Sequence, residues 1–303
     1  MYERVVPLLK LTQFRSSCIL YKKGGKYVPQ QIKEDMNMKK MIAAALAGLI
    51  LLFSLSGCGA QPQKQEAPQE SEGGYSGIDV DSPEWVGNLE AVQDADQVLI
   101  VAAYGQESVG AWVSLHEKKD DGSWHMVMST PGFLGRSGIG KTKEGDGKTP
   151  QGVYHFNRAF GIADDPGCAI PYVKADDDTY WSGDWNDGGH YNELINTKEY
   201  PDVDVSEDVS EHIMDYPYHY QYCLNISYNE EGVPGLGSGL FLHCFGPAKP
   251  FTAGCVAIPE EHMKYVMQHV DEETVVVIET FDTLAGGESW PSSTWPQERP
   301  AGK

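Results

Sequence analysis

The chain has 303 residues, of which 41% are hydrophobic and 11% aromatic, and this composition excludes a disordered, collagen-like or coiled-coil protein. It carries 44 acidic residues against 23 lysines and arginines, a formal net charge of −21 at pH 7. A chain of this sign repels a phosphate backbone, and its folded part contains no basic patch, so we expect no nucleic-acid partner.

The beginning of the chain has the pattern of a targeting segment. Met38-Lys39-Lys40 precedes an apolar run over residues 41–53. This run is too short to cross a hydrocarbon core of ~30 Å, but it has the length of the hydrophobic region in a secretory signal. We therefore predict a signal peptide over residues 38–57, preceded by an upstream extension over residues 1–37.

The end of this signal contains a candidate lipidation site. Ser56 and Gly57 directly precede Cys58, and these residues resemble the lipobox of bacterial lipoproteins. The resemblance implies a diacylglycerol on Cys58 and a lipid-anchored protein on the extracytoplasmic face of the bacterial membrane. An uncleaved N-terminal anchor with an incidental cysteine is the alternative, and it implies the same location.

Two segments lack the apolar residues that folding requires. Residues 58–84 are rich in Gln, Glu, Pro, Ser and Gly, and residues 286–303 are rich in Pro, Ser and Gly. Burial in such segments cannot offset the entropy lost on ordering. We predict a flexible linker over the first segment and a flexible tail over the second, with one folded domain over residues 85–285.

The periodicity of this domain is mainly β. Short apolar or alternating runs, many of them β-branched, are typical of strands. Seven strands are predicted, over Gln97–Ala103, Ala111–Glu117, Trp124–Ser129, Gly152–Asn157, Cys223–Tyr228, Gly239–His243 and Thr274–Glu279. One helix is predicted over Pro259–Val270, because two acidic residues begin a segment with apolar residues at helical spacing.

A glycine-rich stretch from Gly135 to Tyr154 is the first of two that contain candidate functional residues. Residues 135–142 satisfy the letters of a phosphate-binding P-loop, G-x-x-x-x-G-K-T. That motif requires a strand before it and a helix after it, and the Gly and Pro that follow cannot open a helix. We therefore reject the phosphate-binding interpretation.

The second stretch places a histidine and a cysteine in the same region of the chain. His243 ends a predicted strand, and Cys255 follows twelve residues later, just before the predicted helix. A thiol with a pKa of ~8.5 becomes a nucleophile when a base or a positive charge lies beside it. We expect His243 to be that base, and we expect the helix N-terminus to stabilise the thiolate further.

Together these stretches resemble the L,D-transpeptidase (YkuD-like) catalytic domain family. The family pattern is T-P-x-G, here residues 149–152, then an F-x-H strand that ends at His243, then S/T-x-G-C that ends at Cys255. The resemblance covers roughly residues 96–280. It implies a mainly β, single YkuD-like β-sandwich catalytic domain with one or two short helices and an aromatic-rich insertion.

The resemblance also implies an activity and a site. Cys255 would attack a carbonyl in a peptidoglycan stem tetrapeptide, and the thioester would pass to an amine, forming 3-3 cross-links or exchanging the terminal D-amino acid. His243 would act as base and then as acid, oriented by the Cys244 carbonyl, and the Gly254 and Cys255 N–H groups would bind the oxyanion. Substrate contacts are expected from Thr252, Ala253, Ser238 and Tyr222.

Some alternatives stay open at this point. Hydrolysis at the same site would make the protein an L,D-carboxypeptidase, and a wall-binding lipoprotein with an inactive site is the alternative outside enzymes. This chain has Ala253 and Ala257 where the common family form has His and Arg or Asn. We expect a monomer without a cofactor. We also expect no metal site, because the cysteines lack C-x-x-C spacing.

Two further features are left with two interpretations each. Cys168, Cys223 and Cys244 are compatible with one disulfide or with three buried thiols. The insertion over residues 164–222 is rich in Trp, Tyr and Asp, and it either lines a groove for a glycan-peptide polymer or covers one face of the sheet.

Overall fold

A computed structural model describes residues 20–23, 26–29, 74–186, 188–247 and 249–287. The chain divides into two compact units, residues 1–69 and 70–303. In the first unit, strands β1 (Leu20–Lys23) and β2 (Lys26–Pro29) form an antiparallel hairpin. The predicted signal peptide and Cys58 lie outside the described residues, as does the predicted tail after residue 287.

The second unit is mainly β, as the sequence predicts. Its described part contains thirteen strands, which are β3 (Val80–Asp81), β4 (Gln97–Ala103), β5 (Gly110–Lys118), β6 (Trp124–Phe133), β7 (Gly152–Gly161), β8 (Tyr172–Lys174), β9 (Thr179–Ser182), β10 (Glu193–Asn196), β11 (Glu211–His212), β12 (Cys223–Ile226), β13 (Phe241–Cys244), β14 (Val256–Ile258) and β15 (Val275–Thr280). The seven predicted strands are confirmed, whereas β3, β8–β11 and β14, each of two to four residues, were not predicted.

Ten of these strands form one sheet that closes on itself. Its order is β12-β13-β14-β6-β5-β4-β15-β7-β8, with β3 beside β6, and β12 pairs with β7 as well. Eight strands therefore form a closed, barrel-like ring. Closure pairs backbone groups that would be exposed at the edges of an open sheet. The remaining strands form a small sheet in the order β10-β9-β11.

Three short α-helices accompany the sheet, α1 (Glu84–Gly87), α2 (Glu260–His269) and α3 (Phe281–Leu284). The predicted helix is confirmed as α2, which buries Met263, Val266 and Met267. Each fully buried side chain of this kind stabilises the fold by about 1.5–3 kcal/mol, and α2 is thereby held against β13 and β6. None of the helices in the described part has the length and hydrophobicity to cross a membrane.

The described part of the segment predicted as a linker, residues 74–84 of 58–84, packs against the domain. Strand β3 pairs with β6 through Val80 and Met126. The Tyr75 ring lies 5.2 Å from the Tyr265 ring on α2, in an edge-on arrangement. These contacts provide the apolar burial that the composition of the segment did not suggest.

The side chains of β13 alternate between the main core on one face of the sheet and a second hydrophobic cluster on the other. The candidate site lies on the face of the second cluster. Leu242 and Cys244 point into the main core. Phe241, one residue earlier, points to the other face and packs with Cys255. Successive residues of a strand face opposite sides of a sheet, so His243 shares the face of Phe241.

The insertion is fixed to that same face by aromatic packing. The ring of Trp181, on β9, lies 4.7 Å from the Phe241 ring and 5.8 Å from the Phe160 ring. The Trp181 indole N–H donates a 3.1 Å hydrogen bond to Asn192 Oδ1. Aromatic pairs add about 0.5–1.5 kcal/mol beyond the area that they bury. The small sheet is therefore packed firmly over the Cys255 side of the barrel.

Candidate active site

Cys255 and His243 lie on one face of two adjacent parallel strands. In the register of β13 and β14, Leu242 pairs with Val256 and His243 with Ala257. Cys255 lies directly before β14 and two residues before Ala257, so its side chain points to the same side as that of His243. Both residues line the same cavity.

Cys255 is 7% exposed and is part of the lining of this cavity. Its Sγ donates to Gly239 O at 3.2 Å and accepts from Phe241 N–H at 3.4 Å. Burial raises the pKa of Cys255 to about 12, with a further contribution from the charge of Glu211, while Phe241 N–H and Lys141 oppose the rise. The thiol is therefore protonated at neutral pH, and its attack requires a proton acceptor.

His243, the predicted proton acceptor, lines the same cavity. It is 5% exposed, and its Nδ1 lies 2.8 Å from the carbonyl oxygen of Cys244. A carbonyl only accepts, so Nδ1 carries the proton and Nε2 has a free lone pair. Burial lowers the pKa of His243 to about 4, and neighbouring His219 lowers it further, whereas the Cys244 carbonyl raises it. The imidazole is thus neutral at pH 7.

Two threonines shape the turn that presents the cysteine. Thr252 Oγ1 donates to Cys255 O at 2.7 Å and accepts from Gly254 N–H at 3.1 Å. Thr149 Oγ1 donates to the same carbonyl at 3.3 Å and accepts from Gly135 N–H at 2.8 Å. The T-P-x-G motif therefore acts as a structural connection between the glycine-rich stretch and the turn that carries the thiol.

Asp146 organises the loop over residues 135–151, called here the Gly-rich loop. Its carboxylate accepts from the backbone N–H groups of Thr142, Lys143 and Lys148 and from Lys141 Nζ. Burial raises the pKa of Asp146, but these four hydrogen bonds together hold it at about 2. No helix begins in this loop in the structure, so the context that a P-loop requires is missing.

The cavity has a volume of about 760 Å³, within the usual range for ligand sites. Its lining on the Gly-rich loop includes Arg136, Lys141 and Glu144, and its lining on the insertion includes Trp181, Asp184, Trp185, Tyr191, Glu211, His219 and Tyr220. Glu144 connects the two sides, since its Oε2 accepts hydrogen bonds from Tyr191 and Ser238. The insertion therefore lines the cavity as well as covering the sheet, and a glycan-peptide polymer as the ligand of this cavity stays a prediction.

The residues predicted to bind substrate do not all line the cavity. Ser238, Thr252 and Ala253 line it. Tyr222 instead packs in the main core, where Lys264 Nζ lies 5.2 Å from its ring centroid. The reason is the alternation of the backbone that leads into β12, because Cys223, the next residue, points to the Cys255 side.

The structure corrects one expectation about thiolate stabilisation and adds two charged neighbours. Helix α2 begins at Glu260, and the whole of β14 separates it from Cys255. A helix dipole acts mainly within its first turn, so it contributes little at the sulfur. The charge of Glu211 raises the pKa of the Cys255 thiol, and the charge of Lys141 lowers it. The only sequence signal for Lys141 was its place in the rejected P-loop pattern, and Glu211 had none.

The cysteines of the described part are free thiols: Cys168, Cys223, Cys244 and Cys255. Of the two interpretations left open, the structure thus contains unpaired thiols and no disulfide among these four residues. Burial raises the pKa of Cys244 to about 12 and that of Cys223 well above its ordinary value. Cys244 contributes its backbone carbonyl to the site, while its side chain belongs to the core.

Comparison with known proteins places this arrangement in a family. The family model described as "L,D-transpeptidase catalytic domain" (YkuD) matches residues 112–278, more than half of the chain. No curated protein matches the chain.

Two solved structures are similar to part of the chain. One is the helical cell shape determining protein Pgp2 from Campylobacter jejuni, with 19% identity, a TM-score of 0.33, and coverage of 61% of this chain and 48% of that one. The other is the Ldtfm–avibactam carbamoyl enzyme, with 15% identity, a TM-score of 0.27, and coverage of 61% and 49%. The match spans about half the length of each of these structures.

Proposed function

Since the chain belongs to the YkuD family of L,D-transpeptidase catalytic domains, we propose that it transfers acyl groups of peptidoglycan stem tetrapeptides through a thioester on Cys255. One observation supports this proposal above the others. Cys255 shares a sheet face and a cavity with His243, whose Nδ1 contacts the Cys244 carbonyl and whose Nε2 is therefore free to accept a proton.

The reaction follows from these roles. His243 Nε2 takes the thiol proton as Sγ bonds to the substrate carbonyl carbon, and the carbonyl electron pair moves to oxygen. When the tetrahedral intermediate collapses, the C–N bond breaks, and His243 gives the proton to the departing D-amino acid. An amine then attacks the thioester and loses a proton to His243, which returns it to sulfur. This sequence needs no cofactor.

The charge of the cavity favours an amine over water as the acyl acceptor. The insertion contributes carboxylates to the lining, from Asp204, Glu207, Asp208 and Glu211. A negative potential of this kind raises the local concentration of a cationic amine, which attacks once it has lost one proton to solvent, while neutral water gains nothing from this potential. We therefore favour transpeptidation over L,D-carboxypeptidase activity.

An extracytoplasmic, lipid-anchored location completes the proposal. It is supported by the sequence pattern over residues 38–58 and by the fact that peptidoglycan lies outside the membrane. The test is fractionation of cells that express the full chain and are fed a labelled fatty acid. The membrane-bound wild-type chain should carry the label and Cys58→Ala should not if the anchor is a lipid, whereas an uncleaved N-terminal anchor leaves both proteins unlabelled.

The activity is tested in two steps on the full chain in detergent. Incubation with a carbapenem should add the mass of the drug to the peptide that contains Cys255. Cys255→Ala should abolish the adduct, and Cys168→Ala, which removes a half-buried thiol away from the cavity, should keep it. An unmodified wild-type protein that still binds peptidoglycan would favour the binding module instead.

The second step identifies the acyl acceptor. Muropeptides are analysed after incubation of stem tetrapeptide substrates with the wild-type chain and with Cys255→Ala. Cross-linked dimers that depend on Cys255 are the expected result. Tripeptide products without dimers would show that water resolves the thioester and that the protein is an L,D-carboxypeptidase.

A further inference from the structure

Lys141 is a buried cation to which the reaction above gives no role. Its side chain is only 3% exposed, and its Nζ lies 3.1 Å from Asp146 Oδ1, on a carboxylate that is 9% exposed. Isolated charges are costly to bury, so a lysine at this depth depends on its partner. It is also part of the lining of the cavity that holds Cys255.

The lysine ends directly beside the turn that carries the nucleophile. A Cβ atom built on Gly254 would lie 3.7 Å from Lys141 Nζ, and one built on Gly237 would lie 2.3 Å from Lys141 Cε. Any side chain at Gly237 would therefore collide with the lysine. The two glycines leave room for the ammonium group next to the peptide that joins Gly254 to Cys255.

Other sources of positive potential near this peptide are weak or already used. The Gly254 N–H donates to Thr252 Oγ1, and helix α2 begins beyond β14. His243 is neutral at pH 7 because burial lowers its pKa. The Phe241 N–H, which donates to Cys255 Sγ, and the charge of Lys141 are therefore the groups that lower the pKa of the thiol most, and Lys141 is the charged one of the two.

The groups that face the thiol come from several elements. Lys141 of the Gly-rich loop lowers the pKa of Cys255, and Glu211 of β11 raises it. Tyr216, Tyr220, Cys223 and His243 are further titratable neighbours of the thiol. Tyrosines and thiols are uncharged at neutral pH, so Lys141 and Glu211 are the opposing charges in this set. The charged residues that line the wider cavity include Arg136, Glu144 and Lys249.

We propose that the Lys141 ammonium stabilises the negative charge that forms on Cys255 Sγ and on the acyl oxygen during attack. The thiol proton passes to His243, so Lys141 takes no part in proton transfer and acts through its charge. Asp146 holds the ammonium in place and partly neutralises it. The part of the inference that concerns the acyl oxygen rests on the proposed function, whereas the part that concerns the sulfur does not.

The first test measures thiol reactivity without any substrate. Alkylation of Cys255 by iodoacetamide is followed by mass spectrometry of its peptide, from pH 6 to 10, on the full chain in detergent. Lys141→Gln should slow the reaction at pH 8 by about tenfold. Loss of a nearby opposite charge raises the pKa of a thiol by about one, which lowers the thiolate fraction about tenfold. Lys143→Gln removes an exposed lysine from the same loop and should stay within about twofold of wild type.

Asp146→Asn gives a test of opposite sign. It removes the neutralising charge while the chain keeps Lys141, so alkylation at pH 8 should become faster. A merely structural role for the ion pair predicts that both variants change the rate in the same direction. That result, or an unchanged rate in both, would overturn the inference, and Asp146→Asn still gives an answer if Lys141→Gln does not fold.

The second test separates this inference from the proposed function. The rate of carbapenem acylation should fall about 100-fold in Lys141→Gln, the effect typical of losing one oxyanion-stabilising group. Wild-type acylation that Lys141→Gln leaves unchanged would contradict the inference and spare the proposed function. A wild-type chain that is never acylated, yet shows the opposite shifts in alkylation, would contradict the proposed function alone.

Discussion

The Tyr220 hydroxyl donates a 2.7 Å hydrogen bond to Glu211 Oε2 inside the cavity that holds Cys255. Glu211 pairs directly with Trp181 across β11 and β9, so both side chains point to the face that covers the thiol. Burial raises the pKa of Glu211, while the bond from Tyr220 lowers it. The arrangement places a carboxylate beside a nucleophile that must itself become negative.

Glu211→Gln should therefore make Cys255 more reactive in the free protein. The amide keeps an oxygen for the Tyr220 hydroxyl but removes the charge that raises the pKa of the thiol. We expect alkylation by iodoacetamide at pH 8 to accelerate several-fold. Glu199→Gln, an exposed position of the same insertion, should leave the rate unchanged. A slower reaction in Glu211→Gln would mean that the carboxylate assists the thiol.

Thr149 should be needed for its hydroxyl more than for its size. Thr149→Val keeps the shape but removes the acceptor of the buried Gly135 N–H and a donor to Cys255 O. An unsatisfied buried group costs about 1–3 kcal/mol, so the free energy of unfolding should fall by that amount in urea titrations. Carbapenem acylation should also slow, because the turn that holds Cys255 loses one of its two hydroxyl contacts.

Thr149→Ser is the matched control for that change. Serine keeps the hydroxyl and loses only a methyl group, so it should unfold at a free energy within about 1 kcal/mol of wild type. Equal losses of stability in the valine and serine variants would show that packing, and not the hydrogen bonds, explains the threonine of the T-P-x-G motif.

Gly135 should tolerate no side chain. A Cβ atom there would lie 2.3 Å from the carbonyl oxygen of Gly147 and 2.9 Å from the backbone nitrogen of Thr149. Both neighbours are backbone atoms of the Gly-rich loop, and they move only if the loop moves. Gly135→Ala should therefore cost about 1–3 kcal/mol in the free energy of unfolding and should slow acylation of Cys255.

Gly105→Ala tests whether that cost is specific to the crowded position. A Cβ atom at Gly105 has no atom within 4 Å, and its backbone needs no left-handed conformation. The alanine should leave stability unchanged or raise it by up to about 1 kcal/mol, since it restricts the unfolded chain. Comparable losses at Gly105 and Gly135 would contradict the steric explanation.

The sequence was sufficient where a local pattern determines the structure. Strand β4 has the predicted bounds, because its apolar, β-branched residues are buried between two partner strands. His243 and Cys255 were recognisable because each is the last residue of a characteristic motif. Their placement on one face, however, depends on the parallel register of β13 and β14, and β14 has only three residues.

The rest of the site depends on contacts that are distant in sequence. Glu211 belongs to a two-residue strand in a segment without periodicity, and only its pairing with Trp181 brings it to the thiol. The run of tyrosines before β12 gave no sign that Tyr220 faces the cavity while Tyr222 faces the core. Lys141 appeared only in the rejected P-loop motif. Its relevance to the site depends on its proximity to Gly254, which lies more than one hundred residues later in the chain.

Acid should destabilise the protein below about pH 6.5 because of two buried histidines. His116 is fully buried between the hydroxyls of Ser82 and Ser114, and burial lowers its pKa from 6.5 to about 3. Burial likewise lowers the pKa of His243 to about 4. Between pH 6.5 and 4 the unfolded chain binds these two protons and the native protein does not. Each histidine therefore lowers the free energy of unfolding by about 1.4 kcal/mol per pH unit as the pH falls.

His116→Gln tests this sign and size, because glutamine can donate to one serine and accept from the other without titrating. Urea unfolding followed by tryptophan fluorescence at pH 7, 6, 5 and 4.5 gives the slope of stability against pH. The variant should lose about 1.4 kcal/mol less per pH unit than wild type, with the difference confined to the range below pH 6.5. An equal slope in both proteins would mean that His116 binds its proton equally in the native and the unfolded state, so that burial does not lower its pKa.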